Sequence, residues 1–147
     1  MKKNVLPVLL VILIIEGCAH DLSKFSQGTW QLVNWRNMWV DTLAEEFPGD
    51  YSGSALLIIS GRHYLSIGRF TKFNAEIINN YAGAVQNING SHCEETLLYF
   101  PDQDRVGSVI KSILELRNDT LVKTYPCNDK WEIIKSDYTI EKYIRVK

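Results

Sequence analysis

The feature that most constrains the fold is a series of short apolar segments, separated by turn residues, that runs from Gly28 to the end of the chain. Within several of these segments apolar and polar residues alternate, as Leu65 and Ile67 do with Tyr64 and Ser66. A period of two is typical of β-strands with one buried face. Because no long stretch sustains the helical period, the chain is predicted to be all-β.

The turn signals predict how the strands are connected. Gly61 marks a tight hairpin, and residues 101–102 and 118–119 are further turn pairs. These signals predict about eight or nine strands, at the spacing typical of a β-sandwich or β-barrel. Because the connections are short, neighbouring strands are expected to be antiparallel. Closing the sheet into a barrel would remove its two exposed edge strands. We therefore predict an up-and-down antiparallel β-barrel of about eight strands over residues 28–147, with a helical turn or loop at residues 40–47.

The N-terminal residues form a separate segment. Lys2 and Lys3 precede eleven residues, 5–15, that are apolar apart from the interrupting Pro7. A helix needs roughly 20 apolar residues to cross a bilayer, so this run matches the core of a secretory signal instead. We assign residues 1–17 to the signal peptide.

The residues that end this signal, Ile-Glu-Gly-Cys at 15–18, resemble the lipobox of bacterial lipoproteins. The resemblance implies cleavage before Cys18 and acylation of that residue by a diacylglyceryl group and a fatty acyl group such as palmitate. Two or three chains anchor a protein stably to a membrane. Ala19 at the following position favours the outer membrane over the inner membrane of the bacterial envelope. The alternative is an ordinary signal peptide with Cys18 free or paired.

Residues 18–27 form the predicted lipidated tether, which is mostly polar from residue 20 onward, and the barrel domain follows at residues 28–147. Gly28 and Trp30 at its first strand, with Arg145 near its end, resemble the Gly-x-Trp opening and the closing basic residue of lipocalin-like lipoproteins, within the calycin group. The resemblance implies that Arg145 packs across Trp30 at the closed base, as a cation–π contact. The alternative is that Trp30 is a core aromatic residue in an unrelated barrel or sandwich.

Aromatic residues make up 11% of the chain, more than one small core needs. They either fill the barrel or line a ligand cavity at its mouth. In lipocalin-like barrels a long first loop covers the mouth, and residues 34–47 occupy that position here. The candidate ligand-binding residues are Trp35, Trp39, Phe47, Tyr64 and Tyr99.

The leading functional expectation is a non-enzymatic, lipid-anchored envelope protein that binds a small apolar ligand. One alternative is a solid barrel that binds another envelope protein. A second alternative is a barrel isomerase or hydratase, which would need ionisable residues converging inside the barrel. With a net charge of -1 and no basic patch, the chain has no feature that indicates a nucleic-acid partner.

No sequence motif indicates a catalytic residue, a metal site or a cofactor. If Cys18 is acylated, Cys93 and Cys127 remain as an even pair, which forms either a disulfide or two buried thiols. His63 and His92 lack the spacing of metal ligands, and a site joining them to Cys127 is not favoured.

The adjacent carboxylates at 45–46 and 94–95 are interpreted as solvated loop or strand-end residues. Acid–base catalysis would need two carboxylates that converge on one cleft.

Overall fold

The computed structural model describes residues 26–147. The predicted signal segment 1–17, the acylation site Cys18 and residues 19–25 of the predicted tether lie outside this range. Residues 26–147 contain no helix that is long and apolar enough to span a membrane.

The described chain is almost entirely β-structure. Its only regular helix is one turn of 3₁₀-helix at Gln103–Arg105. The strands are β1 (Gly28–Trp39), β2 (Thr42–Phe47), β3 (Ser52–Ser60), β4 (His63–Lys72), β5 (Ala75–Ile78), β6 (Tyr81–Asn89), β7 (His92–Tyr99), β8 (Val109–Arg117), β9 (Thr120–Tyr125) and β10 (Asp137–Arg145).

Eight of these strands close into an antiparallel barrel, which confirms the predicted fold. Neighbours follow the order β10-β9-β8-β7-β6-β4-β3-β1, and β10 returns to pair with β1. The other two strands, β2 and β5, extend β1 and β4 as hairpins at one end. Pairing of the first strand with the last leaves the eight-stranded wall without a free edge.

Both predicted tight hairpins are confirmed. Two residues, Gly61 and Arg62, join β3 to β4, and Gly61 has a positive φ of 60°. The β8–β9 hairpin turns at Asn118, whose φ is 55°. Glycine and asparagine tolerate this left-handed conformation, which two-residue hairpin turns require.

The helical turn or loop predicted at residues 40–47 is wrong. Val40 and Asp41 both have positive φ values, 48° and 57°, so the chain reverses there. Met38 and Trp39 then pair with Leu43 and Thr42 of β2. Pairing with β1 overrides the helical preference of the local sequence.

Residues 130–136 form no strand of the sheet, and a single β-bridge joins Cys127 to Ile133. The Asn128 side chain accepts hydrogen bonds from the backbone N–H groups of Lys130 and Glu132. These two bonds turn the segment back on itself. The backbone is therefore held as a local loop rather than as an edge of the sheet.

An irregularity in β1 decides which side chains point inward. The pairing of β1 with β10 shifts between Leu32 and Asn34. Simple alternation would place Asn34 inside with Trp30 and Leu32. The bulge instead directs Trp35 against the core and leaves the Asn34 side chain to donate to the Phe47 carbonyl at 2.8 Å.

Candidate functional site

The barrel is sealed at the end where β1 begins. Trp30 is fully buried, and the guanidinium carbon of Arg145 lies 4.1 Å from the centroid of its ring. The indole Nε1 donates to the Ser26 carbonyl at 2.7 Å, and Arg145 Nη1 donates to the Gln27 carbonyl at 2.6 Å. The two residues are direct cross-strand partners in the β1–β10 pair. The structure therefore brings together the residues that the resemblance placed at the seam.

Gly28 makes room for this contact. A Cβ atom at Gly28 would lie 2.7 Å from Nη1 of Arg145, and the φ of +123° is unfavourable for a side chain. The glycine of the Gly-x-Trp sequence therefore has a physical role, because its missing side chain leaves space for the guanidinium over Trp30.

A buried ion pair occupies the lumen between the base and the mouth. Lys123 Nζ lies 2.7 Å from Glu95 Oε2, and each side chain is only 6% exposed. Ser112 donates a further hydrogen bond to Glu95 at 2.7 Å. Burial alone would lower the pKa of Lys123, but the neighbouring carboxylates, first Glu95 and then Glu141, hold it well above its ordinary value. The ammonium group therefore stays charged inside the barrel.

This ion pair corrects the interpretation of residues 94–95. Glu95 is buried, whereas Glu94 is partly exposed and lies 3.8 Å from Lys111 on the outer face. Adjacent residues on a strand point to opposite faces, so only one of the two carboxylates is solvated. Three ionisable residues, Glu95, Lys123 and Glu141, therefore point into the barrel.

The end opposite Trp30 is open. There β1 exchanges its partner β3 for β2, and β4 exchanges its partner β6 for β5. A cavity of about 290 Å³ lies within the splayed strands. Its lining comprises six aromatic residues (Trp35, Tyr51, Phe70, Tyr81, Tyr125, Tyr143), six polar residues (Asn37, Glu45, Ser66, Asn79, Thr139, Glu141) and four aliphatic residues (Leu32, Ala55, Ile77, Ile78).

Glu141 is the buried carboxylate of this cavity. Tyr125 and Tyr143 donate their hydroxyl hydrogens to its two oxygens, at 3.0 Å and 2.8 Å. Burial, and then the negative charge of Glu141, raises the pKa values of Tyr125 and Tyr143 well above their ordinary range. Both hydroxyls therefore remain donors at neutral pH. Among residues 26–147, no basic side chain forms an ion pair with Glu141.

The second carboxylate of the cavity, Glu45, is differently placed. It forms an ion pair with Lys72 and accepts a hydrogen bond from the Tyr51 hydroxyl at 3.0 Å. Hydrogen bonding from Lys72 lowers the pKa of Glu45. The Lys72 ammonium also lies 4.7 Å from the centroid of the Tyr51 ring. Glu45 therefore forms an ion pair with a basic side chain, whereas Glu141 forms none within residues 26–147 and is held by the two tyrosine hydroxyls.

Of the five aromatic residues predicted to bind ligand, one lines the cavity, two are buried outside its lining and two are exposed. Trp35 lines the cavity, with its ring 4.9 Å from that of Tyr51. Phe47 packs in the core against Phe70, and Tyr64 is buried beside Tyr81 at a centroid distance of 6.0 Å.

Trp39 and Tyr99 are 63% and 55% exposed and do not line the cavity. Residues 34–47 do not form the expected covering loop either. They belong to the β1–β2 hairpin, which prolongs the sheet beyond the barrel.

Of the two alternatives for Cys93 and Cys127, the structure has two buried, free thiols and not the disulfide. Cys93 belongs to the core cluster inside the barrel, whereas Cys127 lies in the loop after β9 and does not. Burial, together with the charge of Glu95, raises the pKa of Cys93 to about 12. Within the described range, no three His, Cys, Asp or Glu side chains are grouped to hold a metal ion.

Comparison of the chain with models of protein families and with curated sequences gives no match. The fold and the site therefore define the class on their own. It is a closed eight-stranded antiparallel barrel with a sealed base and a cavity at its open end.

Proposed function

We propose that this chain is a lipocalin-like, lipid-anchored protein of the bacterial envelope that binds a small ligand in its mouth cavity and catalyses no reaction. The cavity of about 290 Å³ carries this proposal. A barrel whose sole role was to present an outer surface would need no such space. The size is at the lower end of the range for small-molecule sites, roughly 300–1,000 Å³.

The lining indicates a ligand with both an apolar body and a polar group. Trp35, Tyr51 and Phe70 present ring surface, whereas Glu141 and Asn37 present hydrogen-bonding groups. Burial of a ligand's apolar surface contributes roughly 25 cal/mol per Å². The expected apolar ligand is therefore modified to an amphipathic one, whose polar group satisfies the buried acceptors.

The buried ion pair of the lumen is not placed to act on a ligand. Glu95 and Lys123 bond to one another and do not line the cavity. A catalytic acid or base must reach the substrate, directly or through one water molecule. These two residues instead stabilise the barrel beneath the site.

Native mass spectrometry of the protein isolated from its own membranes tests the cavity. We expect one small molecule bound per chain. Thr139→Phe, which puts a large ring into the cavity, should remove it. The matched variant Ile140→Phe should retain it, because the adjacent position on β10 points away from the cavity. A ligand-free mass for the unmodified chain, or a ligand retained by Thr139→Phe, would contradict the proposal.

The lipid anchor is supported by the lipobox-like residues 15–18 and is tested separately. Replacement of Cys18 by serine removes the thiol that would be acylated. The variant should move from the membrane fraction to the soluble fraction after osmotic lysis. Unchanged membrane retention would contradict the anchor without affecting the ligand proposal.

A second candidate, a module that binds another envelope protein, is favoured by one observation. A groove of about 310 Å³ is lined by residues of β3, β4 and β5, among them the exposed Ile67 and Ile78. An Ile67→Glu substitution should abolish cross-linking to a partner in intact envelopes if this groove is an interface. The same substitution should leave the mouth ligand bound.

A further inference from the structure

We infer that the mouth cavity selects small organic cations, with the ligand's ammonium group bound by Glu141. This inference rests on the proposed function and names the ligand class that the site accepts. The charges of the cavity, the free acceptor positions of Glu141, the aromatic walls and the volume all favour this ligand class.

The charges of the mouth half of the barrel do not cancel. The inward-facing carboxylates are Glu45, Glu95 and Glu141, and the ammonium groups that pair with them are Lys72 and Lys123. Within residues 26–147, these three negative groups and two positive groups leave one negative charge. Glu45 pairs with Lys72 and Glu95 pairs with Lys123, so the residual charge is assigned to Glu141. A monovalent cation would neutralise it, whereas an anionic ligand would meet a like charge.

Glu141 retains the acceptor capacity to bind such a cation. An ionised carboxylate has about four lone-pair positions. Tyr125 and Tyr143 each fill one position, on different oxygens. One position on each oxygen is therefore left for the N–H groups of a ligand. The glutamate lines the cavity although the residue is only 7% exposed, so a bound ammonium group would be largely screened from water.

The aromatic walls favour the same ligand class. Ring faces attract cations, and the attraction grows when the cation is desolvated. The chain already uses these rings in this way, because Lys123 Nζ lies 4.6 Å from the centroid of Tyr125 and Lys72 Nζ lies 4.7 Å from that of Tyr51. The ring of Trp35 is available for the apolar body of the ligand.

The volume limits the size of the ligand. A cavity of about 150 Å³ accepts benzene, which has six carbon atoms. The cavity of about 290 Å³ therefore corresponds to about a dozen non-hydrogen atoms. An aromatic or branched aliphatic amine of this size meets the requirements.

Three indole compounds of similar size and different charge test the inference. Tryptamine is the cation, tryptophol is the neutral analogue and indole-3-acetate is the anion. Their dissociation constants for the full chain are measured by titration calorimetry at neutral pH. The tryptophol hydroxyl can donate a hydrogen bond to Glu141, but the tryptamine ammonium adds an attraction between opposite charges. Tryptamine should therefore bind about ten- to a hundredfold more tightly than tryptophol. Indole-3-acetate should bind most weakly.

A Glu141→Gln substitution should reduce the tryptamine preference to within about threefold of tryptophol, since it removes the charge and keeps the side-chain size. Glu115→Gln is the matched control, because Glu115 is exposed on β8 and pairs with Arg117 outside the barrel. The control should keep the preference of the unmodified chain. If Glu141→Gln still bound tryptamine ten- to a hundredfold more tightly than tryptophol, Glu141 would not be the group that binds the ammonium.

The unmodified chain decides the inference even if Glu141→Gln does not fold. Equal binding of tryptamine and tryptophol would overturn the cation selectivity and leave the proposed binding function intact. Failure of all three compounds to bind, together with a ligand-free native mass, would overturn both.

Discussion

The buried ion pair between Glu95 and Lys123 allows the sharpest test of the barrel interior. The charged atoms are 2.7 Å apart, which corresponds to an attraction of about 6 kcal/mol at an effective dielectric constant of about 20. Much of this attraction offsets the cost of removing two ions from water. Lys123→Met would remove the ammonium group and leave Glu95 with only the Ser112 hydroxyl as a donor. We expect a loss of about 3–5 kcal/mol in the free energy of unfolding.

The measurement is equilibrium unfolding in urea, followed by tryptophan fluorescence, with the slope m used to verify two-state behaviour. The double variant Glu95→Gln, Lys123→Met serves as the control, because it removes both charges of the pair and leaves neither member buried without the other. It should be more stable than Lys123→Met alone, since replacing both members of a buried pair is often close to neutral. A Lys123→Met loss below about 1 kcal/mol, or a double variant as unstable as the sum of the single variants, would refute the reasoning.

Three further predictions concern the seam, the packing and the alkaline limit. Arg145→Ala should lower the unfolding free energy by about 2–4 kcal/mol in the same assay, since it removes the cation–π contact with Trp30 and a charged hydrogen bond; a loss below about 1 kcal/mol would contradict the proposed seal. Gly83→Ala should lower the free energy of unfolding by at least the roughly 1–3 kcal/mol typical of overpacking, because the new Cβ would lie 2.2 Å from the Thr96 carbonyl oxygen. A melting temperature equal to that of the unmodified chain would contradict this close packing at Gly83. Burial, followed by the charge of Glu141, raises the pKa of Tyr81 from 10.0 to about 12, so the folded state holds this proton more tightly than the unfolded state. The free energy of unfolding should be constant up to about pH 10 and fall between about pH 10 and 12, and it should fall less in Tyr81→Phe. An equal fall in Tyr81→Phe would show that Tyr81 is not the source of this pH dependence.

The barrel itself could be predicted because its signals are local. Alternation and two-residue turns specify strands and hairpins without knowledge of distant contacts, as at Gly61 and Asn118. The first and last strands are far apart in sequence, but the residues at positions 28, 30 and 145 indicated their meeting through a resemblance. The β2 hairpin could not be predicted in this way, because the positive φ values of Val40 and Asp41 accompany the pairing of the strands on either side.

The candidate site was predicted only in part, and the physical reason is the cost of burying charge. Trp35 was expected at the cavity, whereas Glu95, Lys123 and Glu141 were missed because isolated charged residues are rarely buried. The face of the strand on which each of them lies could nevertheless be inferred from the alternation of residues in the sequence. Lys123 alternates in phase with Leu121 and Tyr125, and Glu141 alternates in phase with Thr139 and Tyr143. What the sequence lacked was the partner of Lys123, which lies two strands away on β7.

The most direct test of the central claim, that the open end of the barrel is a ligand site, is a crystal structure of the chain soaked with tryptamine. We predict one molecule in the mouth cavity, with its amine within hydrogen-bonding distance of Glu141 and its ring against Trp35. A fully occupied molecule in the outer groove beside Ile67 with an unoccupied mouth, or a mouth closed by collapse of Trp35 onto Glu141, would contradict the account.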